Sequence, residues 1–181
     1  MNIETCYMDT PVTPLRIVTE WPGIVKRIDF VRKEADVSFV TAEEAPEPCR
    51  DTVRQLQEYF AGTRKVFELE LDPEGTDFQK RVWEELRNIP FGEVINYGEQ
   101  ARRMGRLTAS RAVGHANGSN PISIIVPCHR VIGANGHLTG YAGGLHVKQA
   151  LLRLEGHQVI GERLLNPSWE SQASLDLLPP K

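Results

Sequence analysis

The apolar pattern of the chain changes period near residue 75, and that change constrains the fold more than any other feature. Before it, β-branched and apolar runs at 3–8, 15–19 and 24–31 are punctuated by Pro11, Pro14, Pro22 and Gly23. Such runs read as antiparallel strands joined by short turns. Residues 41–48 are acidic and Pro-bearing, and read as a loop. Over 51–60, Val53, Leu56, Tyr59 and Phe60 share one helical face, and Gly62 supplies a stop. Residues 66–71 read as another strand, and 72–75 as a turn and domain boundary.

After the boundary the spacing becomes helical. Thr76 is a candidate N-cap; Phe78, Val82, Trp83 and Leu86 make an apolar stripe that ends before Pro90. Short helices are expected over 97–104, ended by Gly105, and over 108–116, with Thr108 or Ser110 at the cap. Two short helices about a Gly-bearing turn make a helix-turn-helix candidate. Residues 122–126 (ISIIV) form a buried run that ends at Pro127. The Gly-rich stretch 133–144 reads as a loop, without the Lys of a phosphate cradle. Residues 147–154 read as a last amphipathic helix. The tail 157–181, with Pro179 and Pro180 near its end, is expected to be partly disordered. The fold class is therefore α/β (α+β): a small antiparallel sheet with a helix over 1–75, a mostly helical domain over 76–156, and a tail.

The 181 residues carry a net charge of −3, so total charge does not advertise a nucleic-acid partner. The distribution is more telling. Residues 1–50 hold nine acids and six bases, whereas 96–130 hold Arg102, Arg103, Arg106, Arg111 and Arg130 against the single acid Glu99. A basic segment on an acidic body suits a DNA-facing surface, although a solvated helix face reads the same way. Cys6, Cys49 and Cys128 are widely spaced and odd in number, which is no disulfide framework and no zinc pattern. No signal peptide and no apolar stretch near membrane-spanning length is visible. A reducing, cytoplasmic setting is expected, and it would keep a working thiol free.

The chemistry centres on Pro127-Cys128-His129-Arg130-Val131-Ile132. A thiolate is a strong nucleophile, and a nearby imidazole or cation lowers a thiol pKa. Adjacent residues on an extended chain point to opposite sides, so His129 reaches Cys128 only through a turn or a bridging water. An isolated cysteine of this kind is ordinarily an inert core residue.

Its surroundings alter that reading. The stretch 120–132 (NPISIIVPCHRVI) closely resembles the active-site signature of the O6-alkylguanine-DNA alkyltransferases. Four more segments agree in order and spacing: 76–83 (TDFQKRVW), 90–97 (PFGEVINY), 111–114 (RAVG) and 140–156 (GYAGGLHVKQALLRLEG). The resemblance is strong over 76–156 and extends to 1–70 only in general layout. It implies a winged-helix or helix-turn-helix-like DNA-binding domain, and a single-use transfer of an alkyl group from a flipped guanine, with O4-alkylthymine as a further substrate. No cofactor and no metal are implied; residues 1–90 lack the histidines of the family's occasional zinc site. The implied partner is duplex DNA bearing alkylated guanine, bound by a monomer.

By the same resemblance, Cys128 is the alkyl acceptor, His129 deprotonates it through water, and Glu155 orients His129. Tyr97 assists nucleotide rotation and protonates the leaving group. Asn120 forms the hinge to a cysteine-bearing strand. Arg111 is the finger that fills the vacated base stack, with Arg102, Arg103, Ser110, Ala112 and Asn117 on the DNA face. Val131, Tyr141, Ala142, Gly143 and Gly144 line the base pocket. Ala142 stands where the family often has serine, which removes one side-chain hydrogen bond to the base. Other readings fit less well. A cysteine hydrolase would need a distant base and a local signature that is not seen. The alkyltransferase-like damage sensors replace the acceptor that Cys128 retains.

Overall fold

The fold was obtained as a computed structural model that describes residues 2–32, 37–165 and 167. Strands β1 (Ile3–Met8), β2 (Leu15–Glu20) and β3 (Ile24–Phe30) form an antiparallel sheet in that order. Along β2, Leu15, Ile17 and Thr19 are buried while Arg16, Val18 and Glu20 are partly open, the alternation of a one-faced strand. Arg16 sits opposite Asp29 and pairs with it at 2.6 Å, which helps to set the β2–β3 register.

Helix α1 (Glu47–Phe60) packs Cys49, Val53, Leu56 and Tyr59 against this sheet. It starts earlier than residue 51, because Pro48 falls in the first turn, where a missing N–H costs nothing. The expected strand over 66–71 does not form. Only Leu71 bridges to Val25, with Val25 N donating to Glu70 O at 2.8 Å and Asp72 N to Val25 O at 3.0 Å. The reason is competition for the edge of β3. Its other half is taken by the segment before the cysteine: Ile28 N donates to Pro121 O at 2.9 Å, and Ser123 N to Ile28 O at 3.1 Å. One seven-residue strand thus anchors both segments, and neither has room to pair at length.

Helix α2 (Asp77–Arg87) opens with a capping box in which Thr76 Oγ1 accepts from Gln79 N and Gln79 Oε1 accepts from Thr76 N. It buries Val82, Trp83 and Leu86, and the Trp83 indole donates to Ala116 O at 2.8 Å. Strand β4 (Ile95–Asn96) leads into α3 (Tyr97–Arg103), which is capped by Asn96. Gly105 closes α3 at φ 66°. Helix α4 (Ser110–Gly118) follows, but neither Thr108 nor Ser110 caps it. Ala109 occupies the N-cap, with no side-chain bond, and its N–H turns back to Arg106 O at 2.8 Å.

The run 122–126 is buried as expected but is not extended. Ile124 lies at φ 72°, an uncommon conformation for a β-branched residue, held by Ile125 N to Ser123 O at 2.9 Å and Val126 N to Ile122 O at 3.1 Å. The cysteine therefore does not sit on a strand. Cys128–Arg130 form a 3-10 turn, and only then does β5 (Val131–Ile132) pair in parallel with β4. Helix α5 (Leu145–Leu154) starts just after Gly144, whose φ of 89° makes the turn. Beyond it, β6 (Val159–Ile160) and β7 (Arg163–Leu164) form a hairpin, and Val159 and Leu164 join Val94, Ile132, Leu138 and Leu152 in a second core. The start of the tail is therefore ordered, while Pro179 and Pro180 lie outside the described residues. Among the described residues no helix is long and apolar enough to cross a membrane.

Thr76→Ala removes one half of the capping box. It is expected to lower the unfolding free energy by about 1 kcal/mol, read in urea as a lower midpoint at unchanged slope. An unchanged midpoint would show that α2 needs no cap.

Candidate active site

Cys128 lies at the start of the 3-10 turn, 8% exposed. Asn120 reaches back across the tight loop 120–128. Its Nδ2 donates to Val126 O at 2.8 Å and to Cys128 Sγ at 3.2 Å, and its Oδ1 accepts from Ile122 N at 3.0 Å. One amide thus fixes the loop and places a donor on the sulfur. Burial pushes the Cys128 thiol up, and the Asn120 contact and the Lys148 ammonium offset this only in part. The simple expectation of a thiol lowered by its cationic neighbours therefore fails, because desolvation wins.

The turn, not a strand, decides where His129 and Arg130 go. Both side chains run inward to Glu155, which caps the C-terminus of α5. His129 Nε2 is 2.8 Å from Glu155 Oε1; Arg130 Nε donates to Oε2 and Nη2 to Oε1, both at 2.9 Å. Arg130 Nη1 donates to Ile89 O at 2.7 Å, and Gly92 N to Glu155 Oε2 at 3.3 Å. Tyr59 Oη, from α1, donates to Glu155 Oε1 at 2.8 Å. Burial alone would raise the Glu155 carboxyl, but His129 and Arg130 hold it well below the usual carboxylate range. Burial lowers the His129 imidazole despite the opposing pull of Glu155, so the ring is neutral at physiological pH. Its Nδ1 is buried with no partner among the described residues.

Lys148 was not singled out from sequence. It is fully buried on the apolar face of α5, and its Nζ donates to Val131 O at 2.7 Å and to Thr139 O at 3.3 Å. Burial lowers its ammonium to about 8, against a raising effect of Cys128. The only sequence signal was a lysine on the apolar face of a helix, beside Val147, Leu151 and Leu152.

A pocket of about 660 Å³ opens between α3, α4 and the Gly-rich loop, lined by Tyr97, Ser110, Arg111, Gly114, Gly118, Thr139, Gly140, Tyr141 and Ala142. Tyr97 Oη lies 2.7 Å from Thr139 Oγ1, a contact that spans the two sides of this pocket and that sequence reasoning missed. Burial raises the Tyr97 hydroxyl, so it remains a proton donor. Gly143 admits no side chain, since a Cβ would stand 2.7 Å from the Phe30 ring, which itself packs on Tyr141 at 5.7 Å. Of the expected pocket residues, Tyr141 and Ala142 line this space, whereas Val131, Gly143 and Gly144 do not: Val131 is fully buried, and Gly144 turns the chain into α5.

The expected DNA-facing residues divide. Arg111 and Ala112 are exposed and Ser110 is half-buried, all at the start of α4. Arg102 and Arg103 both pair with Glu99, at 2.7 and 2.8 Å, in the free protein. Asn117 is placed elsewhere. It is 5% exposed, and it exchanges amide hydrogen bonds with Gln100 at 2.7 and 3.2 Å, locking α4 to α3.

The site brings together a buried thiol, a neutral imidazole and the carboxylate that holds it, near a pocket flanked by the α3–α4 helix pair. Residues 77–157 match the family described as 6-O-methylguanine DNA methyltransferase, DNA binding domain, and residues 4–73 match its ribonuclease-like domain. A methylated-DNA–protein-cysteine methyltransferase of Methanosarcina acetivorans is 51% identical over 82% of this chain and 95% of its own length. One from Mycolicibacterium paratuberculosis is 47% identical over 84% of this chain and 92% of its own. The structure is similar to that of Mycobacterium tuberculosis OGT in complex with DNA, with a TM-score of 0.73 and 46% identity over 83% of this chain and 91% of that one. The chain belongs to the methylated-DNA–protein-cysteine methyltransferases, DNA-repair proteins that transfer an alkyl group to a cysteine of their own.

Proposed function

We propose that Cys128 is the acceptor, and that the chain, as a monomer, takes the alkyl group from O6-alkylguanine in duplex DNA. O4-alkylthymine is a second substrate of the same chemistry. The observation that carries this reading is a Cys128 thiol held by Asn120 at 3.2 Å, next in the turn to a neutral His129 that Glu155 holds at 2.8 Å, and close enough for its charge to act on Tyr97 and Tyr141 of the pocket. The alkylated oxygen lies on a base edge inside the duplex, so the nucleotide must swing out to meet a fixed sulfur. Arg111, exposed at the start of α4, fills the gap it leaves. Ser110 and Ala112 border the strand, and phosphates draw Arg102 and Arg103 away from Glu99.

In the transfer, the Cys128 S–C bond forms as the O6–C bond breaks, in line. The thiol proton passes through a bridging water to Nδ1 of His129, the buried nitrogen that has no partner among the described residues. Glu155 stabilises the imidazolium that forms. Tyr97 gives its proton to the departing guanine, and the proton on His129 returns through solvent to Tyr97. Binding positions the reactants, so the work is chiefly orientation and proton transfer. The thioether is stable, and each molecule acts once.

The direct test is intact mass after incubation with a duplex carrying O6-methylguanine. One methyl group is expected on Cys128, and none on Cys128→Ala; unchanged mass with unrepaired DNA sinks the reading. Arg111→Ala is expected to slow repair in duplex far more than transfer from free O6-benzylguanine. Equal losses on both substrates reject the finger role.

The pH dependence of the single-turnover rate follows from His129. Its folded pKa lies below the ordinary imidazole value of about 6.5, so the neutral base persists to lower pH than free imidazole would. The rate is expected to hold from pH 8 to about 6.5 and to fall below that. A rate that instead climbs tenfold per pH unit through 8 and 9 would mark direct thiol ionisation without the base.

A further inference from the structure

Glu155 Oε1 accepts from three donors, and one of them comes from outside the segment that carries the cysteine. His129 Nε2 and Arg130 Nη2 approach it at 2.8 and 2.9 Å, and Tyr59 Oη, 96 positions before Glu155 on α1, completes the set at 2.8 Å. We infer that Tyr59 is a positioning residue for alkyl transfer, its phenol O–H holding Glu155 so that His129 stays neutral and aimed at the thiol. The inference rests on the reading of His129 as the base.

Tyr59 is placed with little freedom. It is fully buried, edge-on to Phe60 at 5.4 Å and Phe91 at 6.1 Å, and tilted over Phe67 at 5.6 Å. Burial pushes its hydroxyl far above the ordinary phenol range, with the Glu155 charge adding to the rise. The group is therefore a permanent neutral donor.

That neutrality matters. Arg130 already brings one full positive charge to Glu155. A second cation would weaken the carboxylate as a partner for imidazolium, whereas an unpaired lone pair on Oε1 would leave more negative charge on Glu155 and favour a proton on His129. The phenol satisfies the oxygen without either effect. The other ionisable groups around the pair are Cys128 and Arg130 in the same turn, Lys148 on α5, Tyr141 on the Gly-rich loop and His157 beyond α5.

Tyr59→Phe keeps the ring and deletes the donor. The single-turnover rate near pH 8 is expected to fall roughly tenfold, the equivalent of one hydrogen bond of ordinary net strength. The acid limb of the pH profile is expected to move to higher pH, because a more negative Glu155 raises His129. Replacing Tyr59 with 3-fluorotyrosine, a stronger donor, should move the limb the opposite way. Phe60→Leu removes a packing neighbour and leaves the hydroxyl in place, so it should lower thermal stability at an unchanged pH profile. If Tyr59→Phe keeps the wild-type profile, or if Phe60→Leu shifts it equally, Tyr59 is only a packing residue. The 3-fluorotyrosine protein decides the matter alone if Tyr59→Phe does not fold, and an unmoved limb there overturns the inference. If the wild-type protein moves no alkyl group to Cys128, the underlying reading fails instead.

Discussion

Three separate stretches of chain meet on one buried carboxylate. Tyr59 from α1, the backbone at Gly92, and His129 and Arg130 from the cysteine turn all donate to Glu155. A lone carboxylate in such a place would cost several kcal/mol, so the contact exists only because every lone pair finds a donor. The constraint runs both ways. Glu155 needs these groups in order to remain ionised, and they need Glu155 to hold the turn 128–130 inward. Had Cys128–Arg130 continued as a strand, His129 and Arg130 would have faced opposite sides, and only one could have reached Glu155. The short 3-10 turn is therefore the backbone solution to an electrostatic requirement.

The same low-dielectric site that strengthens these bonds works against the thiolate. Burial keeps Cys128 protonated in the free protein, with Asn120 and Lys148 only partly compensating. On the proposed reading this is useful, since a resting thiolate would be open to oxidation and stray alkylation, whereas a protonated thiol waits for a base beside it and a substrate in place. Lys148 supplies the complementary charge without approaching solvent. Its ammonium is tied to Val131 O and Thr139 O, so the group that steadies the sulfur also fixes the loop from which Thr139 meets Tyr97.

Much of this was legible in the sequence. Period-2 and period-3.6 patterns placed the three strands and the five helices, because each presents one apolar face to a core. The pattern failed where two segments compete for one partner. Residues 66–71 and 122–126 both have strand-like composition, yet the edge of β3 is shared between them, and Ile124 turns the second segment aside. The cysteine motif carried its own signal through the family resemblance, but Tyr59, Lys148 and Thr139 did not. Tyr59 reads as one more apolar residue of α1, and nothing local reveals a partner 96 positions away. Asn117 was misleading in the other direction. A polar residue on an expected recognition helix suggests contact with DNA, but its amide is spent on Gln100 inside the helix pair.

The N-terminal unit thus does more than cover the back of the catalytic half. The edge of β3 holds residues 121–123, which set the start of the loop to Cys128, while α1 extends Tyr59 to the acid at its far end. Loop and acid are fixed from opposite ends by one sheet-and-helix layer. A catalytic half folded alone would keep Asn120, His129 and Arg130 in sequence, but would lack the strand edge that registers the loop and the phenol that completes Glu155. Its Oε1 would then draw more strongly on His129, and the neutral base on which the proposed transfer depends would be harder to maintain.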